Sequence, residues 1–462
     1  MSMLPSVQYS ITIRLEAPAK NTAVSELTSI IERSGGSVTA VDVNHSDAER
    51  VRIDLTCACT NSDHAEQIVE SLKLVPGVVV GKVSDRTFLA HLGGKLTIES
   101  KLPIRNRDDL SLIYTPGVAR ICEAIVKDPS DARRLTIKRN TIAVVSDGSA
   151  VLGLGNIGPL AALPVMEGKA ALFKRFANID AFPICLDTQD TEEIVRTVKA
   201  IAPVFAGINL EDISAPRCFE IEARLRAELD IPVFHDDQHG TAIVCLAALR
   251  NALKVVKKNI GDVQLVMSGA GAAGTAVLKL LFAAGLKHAI VADQKGLIHV
   301  GRKDIEPDTS LGWISQETNK AGKSGTLKDA LVGADVFIGV SAGNLLTATD
   351  IQSMAPNAIV FALANPTPEI EPAEAAKFAA VVATGRSDFA NQINNVLAFP
   401  GFFRGLLDAG ANVITEKMLL AAADALATCV EPEELNASYI VPSVFHHDVT
   451  QRVADAVRLA SK

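Results

Sequence analysis

The sequence predicts an α/β protein built from a ferredoxin-like βαββαβ module, a central α/β domain and a Rossmann-type, doubly wound dinucleotide-binding domain. The composition is 48% hydrophobic but only 4% aromatic, which suits parallel strands that are buried on both faces. The first ninety residues alternate strand and helix patterns in the βαββαβ order. A glycine-rich turn at residues 269–274 lies between a strand pattern and a helix pattern. These observations predict domains at residues 1–88, 89–240 and 241–462.

Composition and charge exclude several classes of protein. The net charge of −8 and the lack of a basic run argue against nucleic acid as a partner. The N-terminus lacks the basic and apolar regions of a signal peptide. No apolar stretch reaches membrane-spanning length without a charge or a turn signal. Seven scattered cysteines are predicted to be buried thiols in a reducing cytoplasm. We therefore expect a soluble, cytoplasmic protein that does not bind membranes.

The N-terminal module has strand patterns at residues 8–16, 37–43, 50–59 and 78–83, with helix patterns at 21–34 and 63–74. In order and size it resembles an ACT domain, a small module that often binds amino acids as a regulator. Two roles are open, a site for an amino acid or another small effector and a dimerisation surface. The turn at residues 18–21 and the break at Gly35 and Gly36 are the predicted ligand positions.

Two pairs of acids dominate the middle of the chain. Glu211 and Asp212 follow one apolar strand pattern, and Asp236 and Asp237 follow the next, with a helix pattern between them. Strands joined by a right-handed helical crossover are parallel, so their carboxyl ends share one edge of the sheet. Four carboxylates would repel one another there unless a cation such as a divalent metal ion lay among them. The alternative is that the acids are helix caps or solvated loop residues.

Lys169 lies on the apolar stripe of a helix predicted over residues 163–176. Desolvation on such a face lowers the pKa of a lysine, which is how a general base is made. The alternative, a snorkelling lysine, is favoured by spacing alone. Tyr114 precedes Thr115 and Pro116, which places it at the N-terminus of a helix predicted to begin at Pro116. The helix dipole would stabilise a phenolate there, although a lone tyrosine is more often a packed ring.

Two G-x-G-x-x-G motifs compete for a dinucleotide, at residues 153–158 and 269–274. Only the second has the complete strand, turn, helix, strand and acid, with Asp293 ending the second strand. An aspartate there bonds the ribose hydroxyls and favours NAD, whereas the nearby Lys295 could attract the 2′-phosphate of NADP. The predicted cofactor is NAD, with NADP open. The predicted contacts in this turn and strand are Gly269, Gly271, Ala272, Ala273, Gly274 and Asp293.

The chain from about residue 90 to its end resembles the malic enzyme family, in its shorter bacterial type. The similarity rests on motifs in order: Tyr-Thr-Pro-Gly-Val-Ala at 114–119, Leu-Gly-Leu-Gly-Asn at 152–156, Glu-Gly-Lys at 167–169, Glu-Asp at 211–212, Asp-Asp-Gln-His-Gly-Thr at 236–241, Ala-Asn-Pro-Thr-Pro-Glu at 364–369, and Asn-Asn-Val with Phe-Pro-Gly at 394–401. The resemblance implies oxidative decarboxylation of (S)-malate to pyruvate and CO2, with reduction of NAD(P), Mg²⁺ or Mn²⁺, and a homo-oligomer, a dimer or higher.

The resemblance also implies a role for each matching residue. Lys169 is the base, Asp236 orients or charges it, and Tyr114 is the acid that protonates the enol carbon. The implied metal ligands are Glu211, Asp212 and Asp237, and the implied malate-binding residues are Asn365, Asn394 and Asn395, with Asn365 also beside the cofactor.

One departure from the family pattern leaves a question. Larger members carry an arginine for a substrate carboxylate just before the Leu-Gly-Leu-Gly motif, where this chain has Gly148, Ser149, Ala150 and Val151. Arg105 and Arg120 are the candidate replacements. Three alternative functions remain at this stage: malolactic conversion, a 2-hydroxy acid dehydrogenase that does not decarboxylate, and an amino-acid sensor with a degenerate enzyme part.

Overall fold

The computed structural model describes residues 5–19, 23–151 and 153–462. Part of the predicted ligand turn at residues 18–21, and Leu152 of the first glycine motif, lie outside the described residues. The chain divides into two compact units, residues 1–97 and residues 98–462. The predicted boundary after residue 88 falls within a short helix, Arg86–His91.

The first unit has the predicted element order. Its elements are β1 (Ser6–Pro18), α1 (Ala23–Arg33), β2 (Ser37–Ser46), β3 (Arg50–Cys59), α2 (Ser62–Lys73), β4 (Val79–Asp85) and α3 (Arg86–His91). The strands form one antiparallel sheet in the order β2-β3-β1-β4. The inward side chains of β1 and β3 pack with those of α1 and α2 in a small core of its own. Strand β2 is an exposed edge.

The second unit begins with three helices and a four-stranded parallel sheet. Its elements to residue 256 are α4 (Arg107–Ile113), α5 (Val118–Lys127), α6 (Asp131–Leu135), β5 (Thr141–Ser146), α7 (Gly158–Ala177), β6 (Asp180–Cys185), α8 (Thr191–Ile201), β7 (Gly207–Leu210), α9 (Arg217–Glu228), β8 (Val233–His235) and α10 (Asp236–Val256). The sheet order is β6-β5-β7-β8. The apolar run before Leu210 forms a strand only from Gly207, because a 3₁₀ turn occupies Ala202–Val204.

A second sheet follows, as the second glycine motif predicts. The remaining elements are β9 (Gln264–Ser268), α11 (Ala272–Ala283), β10 (His288–Asp293), β11 (Gly296–Leu297), α12 (Ser310–Glu317), α13 (Leu327–Leu331), β12 (Val336–Gly339), α14 (Ala348–Gln352), β13 (Ile359–Ala362), α15 (Pro372–Ala375), β14 (Val381–Thr384), α16 (Phe399–Ala409), α17 (Glu416–Ala427) and α18 (Val449–Ala460). The order β11-β10-β9-β12-β13-β14 is parallel except for β11. This is a doubly wound dinucleotide-binding architecture.

Helix α10 connects the two sheets and is the centre of the core. The predicted boundary after residue 240 falls inside it, since it runs unbroken from Asp236 to Val256. By length and composition alone it could cross a membrane, but 67% of its most apolar window is buried inside the protein. Beside it, Phe173 packs on Phe399 and Phe403 with ring centroids 4.6 and 5.2 Å apart. These contacts attach α16, from late in the chain, beneath the first sheet.

Helices α4 to α6 differ from the rest of the second unit. In the described chain none of their residues is buried. Large apolar residues of these helices and of the stretch just before α4 are exposed, among them Ile98, Leu102, Leu112 and Val126 at 86, 60, 75 and 83%. Exposed apolar surface of this kind is typical of sites that contact another protein, a membrane or a ligand.

Candidate active site

The two pairs of acids meet as predicted. Strands β7 and β8 are parallel neighbours, with Leu210 opposite His235. Glu211 and Asp212 follow the first strand, and Asp236 and Asp237 form the first turn of α10. One oxygen from each of Glu211, Asp212 and Asp237 lies within 4.8 Å of the other two. The structure therefore brings together the three predicted metal ligands at one sheet edge.

Local backbone geometry builds this cluster. Asp212 adopts a left-handed conformation with φ of 53°, which aspartate tolerates better than most residues. In that conformation its backbone N–H donates to Asp237 Oδ2 at 2.8 Å, and its carbonyl accepts from Ala150 at 3.0 Å. At the start of α10 the helix dipole favours the two aspartates. Gly240 is required there, because a Cβ would collide with Asp236 Oδ1.

Lys169 is buried at the edge of this cluster. Its Nζ lies 2.5 Å from Asp236 Oδ2 and 2.8 Å from Glu211 Oε1, and 4.2 Å from the centre of the Phe399 ring. Only 11% of its side chain is exposed, so it does not snorkel to water. Asn395 donates to Asp236 Oδ2 at 3.0 Å. The cluster thus holds the predicted base, its predicted partner and one predicted substrate-binding amide.

The charges of the site correct one prediction about Lys169. Desolvation lowers the pKa of Lys169, but Asp236 and Glu211 outweigh it and raise that pKa. The predicted lowering is wrong for this arrangement, because the apolar stripe gave no sign of two carboxylates facing the ammonium. Burial and the crowded carboxylates also raise the pKa of Asp212 to about 7 and hold the pKa of Glu211 well above its ordinary value.

The residues fit a divalent cation. One ammonium against four carboxylates leaves three negative charges when all are ionised. Burial and this excess together raise the pKa values of Glu211 and Asp212. Asp212 Oδ2 is buried without a hydrogen-bond donor among the described residues. Asn209 donates to Glu211 Oε2 at 2.8 Å and limits the orientations of that carboxylate. Preoriented oxygen donors with excess negative charge are what Mg²⁺ or Mn²⁺ requires.

The second glycine motif has the geometry of a dinucleotide turn. Gly269 has φ of 106°, and a Cβ on Gly274 would collide with the Gly269 carbonyl. A Cβ on Gly271 would meet nothing within 4 Å, so the backbone there is open to a phosphate at the start of α11. Ala272 and Ala273 form the first turn of that helix. These residues fit the pyrophosphate of a dinucleotide.

Asp293 ends β10 within a small network of charges. Its Oδ1 accepts from the Lys295 backbone at 2.8 Å and from Arg302 at 2.8 Å. Arg302 also pairs with Asp304 at 2.7 Å, and Lys295 Nζ reaches the same Asp304 at 2.9 Å. One carboxylate, Asp293, and two cations, Arg302 and Lys295, thus lie together at the end of β10, the strand end at which this fold binds the ribose of a dinucleotide.

The other predicted polar residues lie on turns around the same edge. Asn365 is exposed after β13, and a Cβ on Gly153 would collide with its carbonyl. The first glycine motif therefore packs against the Asn365 turn of the second sheet. Asn394 Oδ1 accepts from Val396 N–H at 3.0 Å, which leaves its amide nitrogen as the group available to a ligand.

Tyr114 is not placed as predicted. It ends α4 instead of starting a helix, and α5 begins only at Val118. The dipole argument for its hydroxyl is therefore wrong, because the C-terminal end of a helix disfavours a phenolate. Tyr114 is 67% exposed. Arg105 and Arg120 are exposed in the same segment.

Several contributors were missed from the sequence. Phe399 forms the apolar floor under Lys169, and Asn209 holds Glu211. Arg302 pairs with Asp293 nine residues earlier. Asn209 alternates with Glu211 at the end of a strand, and that spacing could have signalled its role. Phe399 could not be found this way, because only the tertiary fold brings it beside residue 169.

The second unit combines a doubly wound dinucleotide domain with a lysine–carboxylate cluster that suits a divalent cation. This combination is typical of nucleotide-dependent oxidoreductases that use a metal ion. The model of the malic enzyme N-terminal domain matches residues 93–226, and that of the malic enzyme NAD-binding domain matches residues 238–461. The chain belongs to the malic enzyme family, and the predicted resemblance is confirmed.

Individual relatives agree with the family match. The chain is 55% identical over 457 residues to an NAD-dependent malic enzyme of Geobacillus stearothermophilus, covering 99% of this chain and 95% of the relative. It is 54% identical over 369 residues to a bifunctional malic/malolactic enzyme of Bacillus subtilis, covering 80% and 90%. The crystal structure of an NAD-dependent malic enzyme from Thermotoga maritima aligns with a TM-score of 0.78 at 48% identity, covering 81% and 99%.

Proposed function

We propose that this chain catalyses oxidative decarboxylation of (S)-malate to pyruvate and CO2 in the cytoplasm, with Lys169 and its carboxylates as the reaction centre. The observation that carries the proposal is the position of Lys169, 2.8 Å from Glu211 in the group suited to a metal ion. A base beside a metal ligand is where a substrate hydroxyl bound at the metal would be deprotonated. The seven cysteines are all free, which is consistent with a reducing compartment. The prediction that all of them are buried is wrong for Cys122, which is exposed, and for Cys185, which is half-buried.

Glu211, Asp212 and Asp237 would hold Mg²⁺ or Mn²⁺. A bound divalent ion supplies Lewis-acid polarisation of the substrate oxygen, and NAD(P) supplies the hydride acceptor. Lys169 takes the hydroxyl proton of malate. A divalent ion held by Glu211 would offset the charge of one of the two carboxylates that raise the pKa of Lys169, and Lys169 would then be a better base. Asp236, which stays 2.5 Å away, keeps the ammonium in place after the transfer.

Asn365, Asn394 and Asn395 are proposed to bind the carboxylates of malate. Amide nitrogens donate to carboxylate oxygens without adding charge. Asn365 lies in the loop after β13, and Asn394 caps a 3₁₀ helix that begins at Asn395. Asn395 already donates to Asp236, so it would also link the bound substrate to Asp236, the carboxylate that pairs with Lys169.

Tyr114 is proposed to protonate the enol carbon from a second copy of the chain. Its exposure, together with the apolar surface of α4 to α6, favours a segment that packs on another molecule. An isologous dimer would place each copy of this segment on the other subunit. Arg105 and Arg120 lie in the same segment as Tyr114, so they would enter the same active site and could bind the second malate carboxylate. The homo-oligomer is then part of the active site.

The N-terminal module is proposed to regulate or assemble the enzyme. His64 Nδ1 accepts from Thr60 N–H at 3.1 Å, so Nε2 donates to the Ser34 carbonyl at 2.7 Å. This pair fixes the loop at Gly35, which has φ of 89°. A preformed loop of this kind supports a site for an amino acid or another small effector, as in the ACT domain that the module resembles.

The activity has a direct test. Full-length protein with malate, Mn²⁺ and NAD should produce NADH and pyruvate in equal amounts, measured by absorbance and a coupled pyruvate assay. NADH with oxaloacetate and no pyruvate would indicate a simple dehydrogenase. Lactate without net NADH would indicate the malolactic reaction, which the name of the Bacillus subtilis relative brings into consideration.

Cofactor preference should depend on Asp293. We propose NAD as the preferred cofactor, because the Asp293 carboxylate repels a 2′-phosphate. Asp293→Ser leaves Arg302 and Lys295 in place and should tighten NADP binding by about tenfold, the change that roughly 1.4 kcal/mol produces. Calorimetric Kd values for both cofactors measure it, with the exposed acid Asp308→Ser as control. Unchanged NADP affinity would show that Asp293 does not set the preference.

Shared active sites predict complementation between inactive chains. Lys169→Ala and Tyr114→Phe should each lower kcat by about 10²- to 10⁴-fold, because each removes a proton-transfer group. Mixed after unfolding and refolding together, they should regain about one quarter of wild-type activity, since half the dimers are mixed and each has one intact site. No recovery, with mixed dimers verified by mass, would place Tyr114 in its own subunit's site.

The effector role can be tested on the whole chain. Titration calorimetry with a panel of amino acids should show binding heat that Gly35→Val abolishes, because valine is strained at positive φ. A panel with no binding heat would favour assembly as the role of the module.

A further inference from the structure

The metal ligand Asp237 is held from behind by a buried imidazole. His235 is fully buried, and its Nε2 lies 3.2 Å from Asp237 Oδ2, the same oxygen that accepts from Asp212 N–H at 2.8 Å. His235 Nε2 has no hydrogen-bond partner among the described residues, so its contact with Asp237 is an ionic one. Both contacts are made to Oδ2, and Oδ1 is left for a cation.

The hydrogen on His235 Nε2 depends on Gln238. His235 Nδ1 lies 2.6 Å from Gln238 Nε2, and an amide nitrogen only donates. Nδ1 must therefore accept, so a ring hydrogen is on Nε2, the nitrogen that lies 3.2 Å from Asp237 Oδ2. If Gln238 were turned over, its oxygen would face His235 and require a hydrogen on Nδ1 instead. The orientation of the Gln238 amide thus decides whether the His235 nitrogen next to Asp237 carries a hydrogen.

The orientation of Gln238 is in turn set by Glu222. The same Gln238 nitrogen donates to Glu222 Oε2 at 2.9 Å, so turning the amide would place two oxygens together. Glu222 is buried, and its other oxygen, Oε1, is held by His239 Nε2 at 2.5 Å and Arg226 at 3.4 Å. Every group around this carboxylate is a donor. A glutamine at position 222 would direct an amide nitrogen at one of them.

We propose that Glu222 is a positioning residue for metal binding, acting through Gln238 and His235 on Asp237. The inference rests on the proposed function, because it needs the cation at Glu211, Asp212 and Asp237. Hydrogen bonds behind metal ligands orient them, and their loss costs about 10- to 100-fold in affinity or activity. Glu222 also borders a cavity of about 350 Å³ between α9, α11 and α17, so its environment can adjust to a substitution without repacking the metal site.

The test compares Glu222→Gln with a matched exposed acid on the same helix. Glu220 is one such residue, with 62% of its side chain exposed, and Glu220→Gln should behave as wild type. For Glu222→Gln we expect the Kd of Mn²⁺, measured by electron paramagnetic resonance of the free ion, to rise about tenfold or more. The Kd of NAD should not change, and kcat at saturating Mn²⁺ should stay within about twofold, since Lys169 and Asp236 are untouched.

Other outcomes separate the two levels of the proposal. If the wild-type protein binds no Mn²⁺, the proposed function fails. If wild type binds Mn²⁺ and Glu222→Gln binds it equally well, the positioning role alone is refuted. A parallel fall in NAD affinity and melting temperature would show that Glu222 only packs α9. Should Glu222→Gln not fold, Gln238→Met removes the same donor at similar size, and it too must weaken Mn²⁺ binding for the proposal to stand.

Discussion

Four carboxylates crowd one buried sheet edge, and the ammonium of Lys169 is the counter-charge that the structure provides for them. A buried carboxylate without a partner is costly, and removing one member of a buried pair typically destabilises a protein by several kcal/mol. Lys169 contacts Asp236 and Glu211 at 2.5 and 2.8 Å. The remaining negative charge favours the binding of a cation at this edge. Chemistry and stability therefore depend on the same ion pairs.

The elements that hold this edge come from distant parts of the chain. Helix α7 carries Lys169, helix α10 carries Asp236, and α16 places Phe399 against the ammonium at 4.2 Å. The same Phe399 packs on Phe173 in the core. Because the core is close-packed, a shift of α16 would displace the Phe399 ring that contacts the Lys169 ammonium. Phe234, Phe402 and Phe403 extend the same aromatic cluster.

The departures from prediction share a physical origin. A helical apolar stripe indicates that Lys169 is buried, but not which charges face it, and two carboxylates reverse the expected direction of its pKa. The sequence around Pro116 indicates a break in the helix, but not on which side Tyr114 lies, and it ends α4. The sequence does not show that Tyr114 is exposed. Its exposure follows from the fold of α4 to α6, in which none of the described residues is buried.

By itself, the sequence determined the βαββαβ module, the parallel order of β7 and β8, and the dinucleotide turn, because each depends on local periodicity, short crossovers and glycine geometry. It also determined the family, through motifs in a specific order. The tertiary structure decided the direction in which the pKa of Lys169 shifts, the pairing of Asp293 with Arg302, and the series of contacts that links Glu222 to Asp237. These depend on which side chains meet across elements, and spacing along the chain carries no information about a hydrogen bond between a carboxylate on one helix and an amide on another.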